Sequence, residues 1–298
     1  MSPPDPTWRS FQIGKDDFLT LNKAEEADQK IVRHMIQCFK SWIHHVVIRT
    51  VDTGVIVSLS AYRHHAQNFD SKVYALLVAG GKSVHYETTE IALKLGEKVC
   101  QGLPFFHALT GCDLTSSFFN QGKCKFWDRW MNFREFDQLS DVFVELSTKP
   151  TSISSDQLSL IEKYVCDVYY GNSSESLDEK RMKDFENSTH NNLRLLPPSR
   201  LGLKEHVKRS AYYAGWINHQ CIENVDLPSP VDWGWGLNGG DFLPVWQTRG
   251  ENITDADFVT MVCGCTTDKC SGCRCAKTTN FDCLQCCKCN RRCLYKLI

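Results

Sequence analysis

The stretch VVIRTVDT, Val46–Thr53, decides how the first half of the chain is read. It is a β-branched run ending in an acid, the composition of a buried parallel strand. Upstream, Ala24 to Phe39 is amphipathic, with Ile31, Val32, Met35, Ile36 and Phe39 at helical spacing. Downstream, VYALLVAGG (Val73–Gly81) predicts a second strand stopped by its glycines. TTEIALKLG (Thr88–Gly96) predicts a short helix with a Thr cap and a terminal Gly. Helices alternating with strands place the chain in the α/β class.

From Lys123 to about Phe185 the pattern turns helical. GNSSESLDEKRMKD (Gly171–Asp184) reads as a polar face or a linker, and Pro197–Gln220 as a helix capped by Ser199. The Pro/Gly/Trp-rich segment Pro228–Trp246 predicts a turn-rich ribbon that packs its tryptophans on that helix. There is no internal repeat.

Length and composition bound the rest. At 298 residues, 42% hydrophobic and 23% charged, the chain is long and apolar enough to bury a core in one large domain or two ordinary ones. A net charge of −1 supplies no global field toward nucleic acid or membrane, so any basic surface is local. No apolar run approaches the roughly 20 residues of a spanning helix, and MSPPDPTWRS lacks the apolar centre of a signal peptide. The expectation is an intracellular protein, nuclear or cytoplasmic, with no membrane partner.

Acids stand beside several predicted element ends: Glu25, Glu26 and Asp28 at a helix start, Asp52 after the first strand, and Asp113 in FFHALTGCDLTSSFF. Carboxylates gathered at the strand ends of an open α/β sheet form a ligand site. Hard ions such as Mg2+ or Mn2+ take oxygen ligands, and two of them about 4 Å apart can clamp a phosphodiester displacement. Each acid also has a structural role open to it. Glu25, Glu26 and Asp28 would stabilise a helix dipole, and Asp113, among Phe105, Phe106, Phe118 and Phe119, would cap a helix starting near Thr115.

The order of these acids resembles the flap-endonuclease branch of the PIN-like nucleases. KAEEAD, VVIRTVDT, LPFFHALTGCDLTSSF and GKCKFWDRW, with LPPSR and LPVW, resemble more closely an uncharacterised mobile-element family of invertebrate genomes, from about Lys23 onward. The resemblance implies a PIN-like three-layer parallel sheet and nuclease ancestry, with Glu26, Asp28, Asp52 and Asp113 as divalent-metal acids. It also implies that Gly122, Lys123 and Lys125 grip the backbone of DNA or RNA, although a solvated helix face accounts for the lysines equally well. Two departures count against catalysis. Gly54 stands where the second acid of a DTD motif belongs, and only about 22 residues precede KAEEAD, which reads as a shortened N-terminus. Asp16 and Asp17 lie in a turn context there.

Of 16 cysteines, ten fall between Cys263 and Cys293. Ten thiols in 31 residues of a chain without an export signal predict metal ligation rather than disulfides. The run CGCTTDKCSGCRCAKTTNFDCLQCCKCNRRC resembles the tesmin-type CXC motif, in which nine cysteines hold about three Zn2+ through shared sulfurs. That resemblance assigns Cys263, Cys265, Cys270, Cys273, Cys275, Cys283, Cys287, Cys289 and Cys293, with Cys286 as the spare. The spacing is one residue short before Cys273 and one long before Cys293, and Gly272 replaces the motif's aromatic residue. Seven basic residues against two acids from Cys263 onward give +5; nine thiolates on three Zn2+ leave about +2. That permits phosphate contact, and a zinc-stapled fold without nucleic acid stays open beside it. The other six cysteines, Cys38, Cys100, Cys112, Cys124, Cys166 and Cys221, read as small hydrophobes.

The expected organisation is an extension (1–22), a PIN-like α/β domain with helical extension (23–190), a helix and ribbon (191–257) and a zinc module (258–298). The expected function is a degenerate, metal-dependent nuclease-like protein with a zinc tail that contacts nucleic acid. The alternative is a non-catalytic zinc-binding scaffold whose protein partners are unknown.

Overall fold

The computed structural model describes residues 27–41, 43–63, 71–148, 152–171, 176–187, 195–222 and 228–245. In chain order the elements are α1 (Ala27–Lys40), β1 (His45–Thr50), α2 (Thr53–Tyr62), β2 (Lys72–Ala79), β3 (Lys82–Glu87), α3 (Thr88–Leu95), α4 (Glu97–Leu109), α5 (Lys123–Met131), α6 (Phe136–Thr148), α7 (Ser155–Tyr170), α8 (Leu177–Asn187), α9 (Arg200–Ile222), β4 (Trp235–Asn238) and β5 (Asp241–Pro244). The chain is α/β and mostly helical, and it divides into two units.

The first unit holds α1 through α3, α4 as far as His107, α6 from Ser140 and α9 from Tyr212. Its sheet has the order β1-β2-β3. β1 and β2 run parallel, with Val46 opposite Val73 and Ile48 opposite Ala75, so β1, α2 and β2 form a βαβ unit. β1 alternates between exposed and covered positions rather than being buried throughout, so one of its faces is packed and the other meets solvent. The glycines expected only to stop β2 do more. Gly80 and Gly81, at φ 56° and 75°, make a two-residue turn that brings β3 back antiparallel, with Ala79 opposite Lys82.

The helices close over this sheet through Val32, Met35 and Phe39 of α1, Val55 and Leu59 of α2, and Ala92 of α3, all buried. Thr88 does not cap α3. It is the first helical residue and is itself buried, donating to the Val73 carbonyl at 3.2 Å, while Glu87 holds the cap position. Fully buried Arg63 ties the pieces together: Nη2 donates to the Ser71 carbonyl at 2.6 Å, Nε to Thr89 Oγ1 at 3.3 Å, and the guanidinium lies 5.1 Å over the Phe39 ring. Phe105 packs 5.2 Å from Phe143, and its N–H donates to Ser147 Oγ at 3.0 Å.

The second unit holds Ala108–Leu139, the described residues from 152 to Ala211, and those from Ser229. Its centre is aromatic. Phe126 lies 4.8 Å from Phe118 and 5.7 Å from Tyr164, whose hydroxyl donates to the Phe126 carbonyl at 2.6 Å. Each such ring contributes about 1.5–3 kcal/mol on burial. α7 begins with a capping box, Ser154 and Gln157 each accepting the other's backbone N–H. The stretch read as a polar face or linker contains α8, which buries Leu177 and Phe185. Glu162, also buried, anchors it by accepting the Leu177 N–H at 3.1 Å while pairing with Arg200 Nε at 3.2 Å. α9 starts as expected, with Ser199 Oγ accepting the Gly202 N–H at 3.2 Å. The ribbon does reach this helix: Trp233 is buried, and Arg209 donates to the carbonyls of Gly234 and Val245. A Cβ on Gly234 would stand 2.6 Å from the Glu205 carbonyl oxygen, so only glycine allows that approach. Among the described residues no helix is long and apolar enough to cross a membrane.

Candidate functional site

The acids fall in different local settings. After β1, Thr50 Oγ1 accepts the Asp52 N–H at 3.0 Å and fixes a tight turn. Asp52 is then the N-cap of α2, its Oδ1 accepting the Gly54 N–H at 2.7 Å in an extended backbone. The side chain is exposed and one of its oxygens is committed to the helix. A Cβ on Gly54 would lie 3.3 Å from that same oxygen.

Asp113 has neither of the surroundings expected of it. It is exposed, not enclosed by phenylalanines, and no helix begins near Thr115, since the next one starts at Lys123. It occupies a turn between Cys112 and Thr115, whose backbones bridge in both directions at 3.2 and 3.3 Å. Contacts a few residues beyond it brace this turn. Thr115 Oγ1 donates to the Ala108 carbonyl at 2.6 Å. Gly111 sits at φ 106° with Ser117 against it, where an added Cβ would lie 2.7 Å from Ser117 Cβ. Phe118 points inward and Phe119 outward, being 7% and 51% exposed. Glu26 lies outside the described residues, and Asp28 falls within α1.

Gly122, Lys123 and Lys125 come together, all exposed, at the start of α5. Gly122 is the cap residue in extended conformation, its carbonyl accepting the N–H groups of Lys125 and Phe126 at 3.0 and 3.3 Å. Lys125 Nζ donates to Gln121 Oε1 at 2.7 Å. The arrangement offers a positive helix end with flexible cations, suited to phosphate and carrying no base selectivity.

All nine assigned zinc cysteines lie outside the described residues. Among the described residues no three His, Cys, Asp or Glu side chains group as ligands for a metal ion. Of the scattered cysteines, Cys100 and Cys166 are buried, and desolvation pushes both thiols up to about 12, so they stay protonated and inert. Cys124 is exposed and Cys112 half-buried.

One cluster escaped the reading of motifs. On α9, Leu203, His206, Val207, Ser210 and Ala211 form a buried stripe at helical spacing. His206 Nε2 lies 2.8 Å from the Leu109 carbonyl, which can only accept, so Nε2 carries the hydrogen. Burial, with a smaller contribution from Arg209, pulls the ring down to about 4 against the opposing pull of that carbonyl, leaving it neutral. Nδ1 is thus a bare acceptor, buried, with no partner among the described residues. Such an orphan costs about 1–3 kcal/mol. The Phe118 ring meets the imidazole edge-on at 5.3 Å and 89°. The signal in the sequence was a histidine on the apolar stripe of LKEHVKRSA, a position that demands a partner.

Comparison of the chain with family models, with curated proteins and with solved structures gave no match.

Proposed function

We propose that this protein is a zinc-binding, nuclease-derived protein of mobile-element origin, whose cysteine-rich segment contacts nucleic acid and whose PIN-like body no longer cuts. The observation that carries the reading is the ten thiols between Cys263 and Cys293. Soft thiolates at these spacings suit Zn2+ in shared tetrahedral sites, whereas O-ligand metals do not. That segment has few apolar side chains, Phe281 and Leu284 being nearly alone before Cys293, so zinc binding and folding are one event there. Native mass spectrometry of the full chain is expected to show about three zinc ions, lost on Cys265→Ser and retained on Cys166→Ser. A full chain that carries disulfides instead of zinc sinks the reading.

The βαβ unit and the carboxylate of Asp52 support PIN-like ancestry. Gly54 supports loss of cleavage: the position carries no ligand, and Asp52 Oδ1 is engaged by its N–H. The chain is expected to bind single-stranded and flapped DNA with a steep salt dependence and to leave both intact in Mn2+. Gly54→Asp is expected to raise Mn2+ affinity, read by calorimetry.

The second reading, a zinc-dependent scaffold for proteins, rests on the ribbon. Leu237, Phe242 and Leu243 are 62%, 49% and 49% exposed on β4 and β5, more apolar surface than a solvated hairpin needs. Zinc without any salt-dependent DNA binding favours it.

A further inference from the structure

Side chains alternate along each strand of the first unit's sheet. Val73 and Ala75, both fully buried, therefore face the helices, while Lys72, Tyr74 and Leu76 face the other way. The register carries this second face onto both neighbouring strands. On β1, Val47 stands opposite Tyr74 and Arg49 opposite Leu76; on β3, Glu87 stands opposite Tyr74 and His85 opposite Leu76. Val47 is 57% exposed, and Arg49, Lys72 and His85 are exposed with it, so the face is open to solvent on both sides of β2. Tyr74 and Leu76 lie half-buried along its middle.

Charge and ring chemistry set what such a face can hold. The three strands carry Arg49, Lys72 and Lys82 against Glu87 alone, three cations to one acid, in a chain whose net charge is −1. Glu87 is answered by Lys72, whose Nζ lies 3.4 Å from its carboxylate, while Arg49 forms no ion pair among the described residues. The patch is complementary to an anion. The rings narrow the class further. Tyr74 and His85 are diagonal neighbours across β2 and β3, about 7–8 Å apart, which is near one nucleotide step of an extended strand. Flat rings beside a guanidinium suit nucleobases, every one of which has a π-face, whereas an acidic peptide gains nothing from them.

We propose that this open sheet face binds single-stranded nucleic acid, its bases stacked on Tyr74 and His85 and a phosphate held by Arg49. A duplex does not fit, because its bases are stacked on one another and offer a flat sheet only phosphates. The proposal shares its ligand class with the reading of the cysteine-rich segment but not its site, and it needs no zinc.

The test uses the full chain and a single-stranded 12-mer of thymidine carrying one 5-iodouracil, which cross-links under light to the aromatic ring it stacks on. Peptide mapping is expected to find Tyr74 or His85 cross-linked, and the same sequence as a duplex is expected to leave the sheet unmarked. Titrating the strand while following the sheet cross-link reads the affinity of this face alone. His85→Ala is expected to weaken it about tenfold. Arg49→Gln is expected to lower the slope of log affinity against log salt by about 0.7, one phosphate contact on a single strand. Both residues are exposed, so both variants are expected to keep the wild-type melting temperature. Cross-links confined to the cysteine-rich segment or α5 overturn the proposal and leave the zinc reading standing; a chain without zinc that still cross-links at the sheet does the reverse. Polyglutamate that displaces the strand from the sheet at equal charge shows a face that reads charge and not bases, and overturns the proposal. So does an affinity untouched by both variants.

Discussion

Asp52 and Asp113 look alike in the sequence: each follows a hydrophobic element and stands in a short turn beside glycine and threonine. Their surroundings differ in kind. The turn at Asp52 is held by its own hydrogen bonds, Thr50 to Asp52 and Asp52 to Gly54, all within a few residues. The turn at Asp113 has a local backbone bridge too, but it is also braced beyond the turn, by Ser117 against Gly111, by the Ala108 carbonyl on Thr115, and by His206, far along the chain, on the Leu109 carbonyl just before it. A local turn can be repaired by any residue of similar local chemistry. A turn fixed by neighbours depends on shape, and its acid is free to face solvent.

The largest expected effect breaks the second turn. Gly111→Ala forces a Cβ to 2.7 Å from Ser117 Cβ at a φ of 106°, costing about 3 kcal/mol or more in denaturant unfolding. The matching change in the first turn, Gly54→Ala, meets only Asp52 Oδ1 at 3.3 Å and is expected to cost under about 1 kcal/mol. Equal costs would erase the contrast.

Acid costs stability at His206 through the burial of its ring, while the Nε2–H bond to the Leu109 carbonyl survives protonation. Its ring is lowered from 6.5 to about 4 in the fold, so between those values the unfolded chain binds the extra proton. Stability is therefore full above about pH 6.5, falls as pH drops through the window, and levels off below about 4, a loss on the order of 3 kcal/mol. Denaturant midpoints at pH 7 and 4.5 measure it, and the contribution is expected to vanish in His206→Phe.

Smaller effects sharpen the comparison at the acids themselves. Asp52→Ala removes the α2 cap and is expected to cost about 1 kcal/mol, recovered in large part by Asp52→Asn. Asp113→Ala, exposed at the turn, is expected to stay within about 0.5 kcal/mol. A costly Asp113→Ala would mean that the carboxylate has a structural partner after all.

The same distinction marks what the sequence made legible. Elements announced by local chemistry were readable: the parallel β1–β2 pair, α1, the Ser199 cap of α9, and the ribbon with Trp233. β3 was not, because KSVHYE is mostly exposed and shows no apolar alternation; only Gly80-Gly81 signalled the hairpin. α8 was hidden because two buried residues, Leu177 and Phe185, supply its apolar anchor in an otherwise charged run. Thr88 looked like a cap because its identity fits one, yet its hydroxyl serves β2. The neighbours of His206, Leu109 and Phe118, lie far from it in the chain, and no spacing rule reaches across to them. Of the residues singled out by resemblance, Glu26 and the nine zinc cysteines lie outside the described residues, and the lysines of α5 stand exposed at a helix start, which a phosphate grip and a solvated face share.

Arg63 has a consequence for engineering. Its bond to the Ser71 carbonyl fastens both ends of the stretch between them, whatever that stretch contains. Closing a loop costs only about 0.6 kcal/mol more for each doubling of its length once its ends are held. Residues inserted between Arg63 and Ser71 are therefore expected to leave the register of β2 against β1 in place.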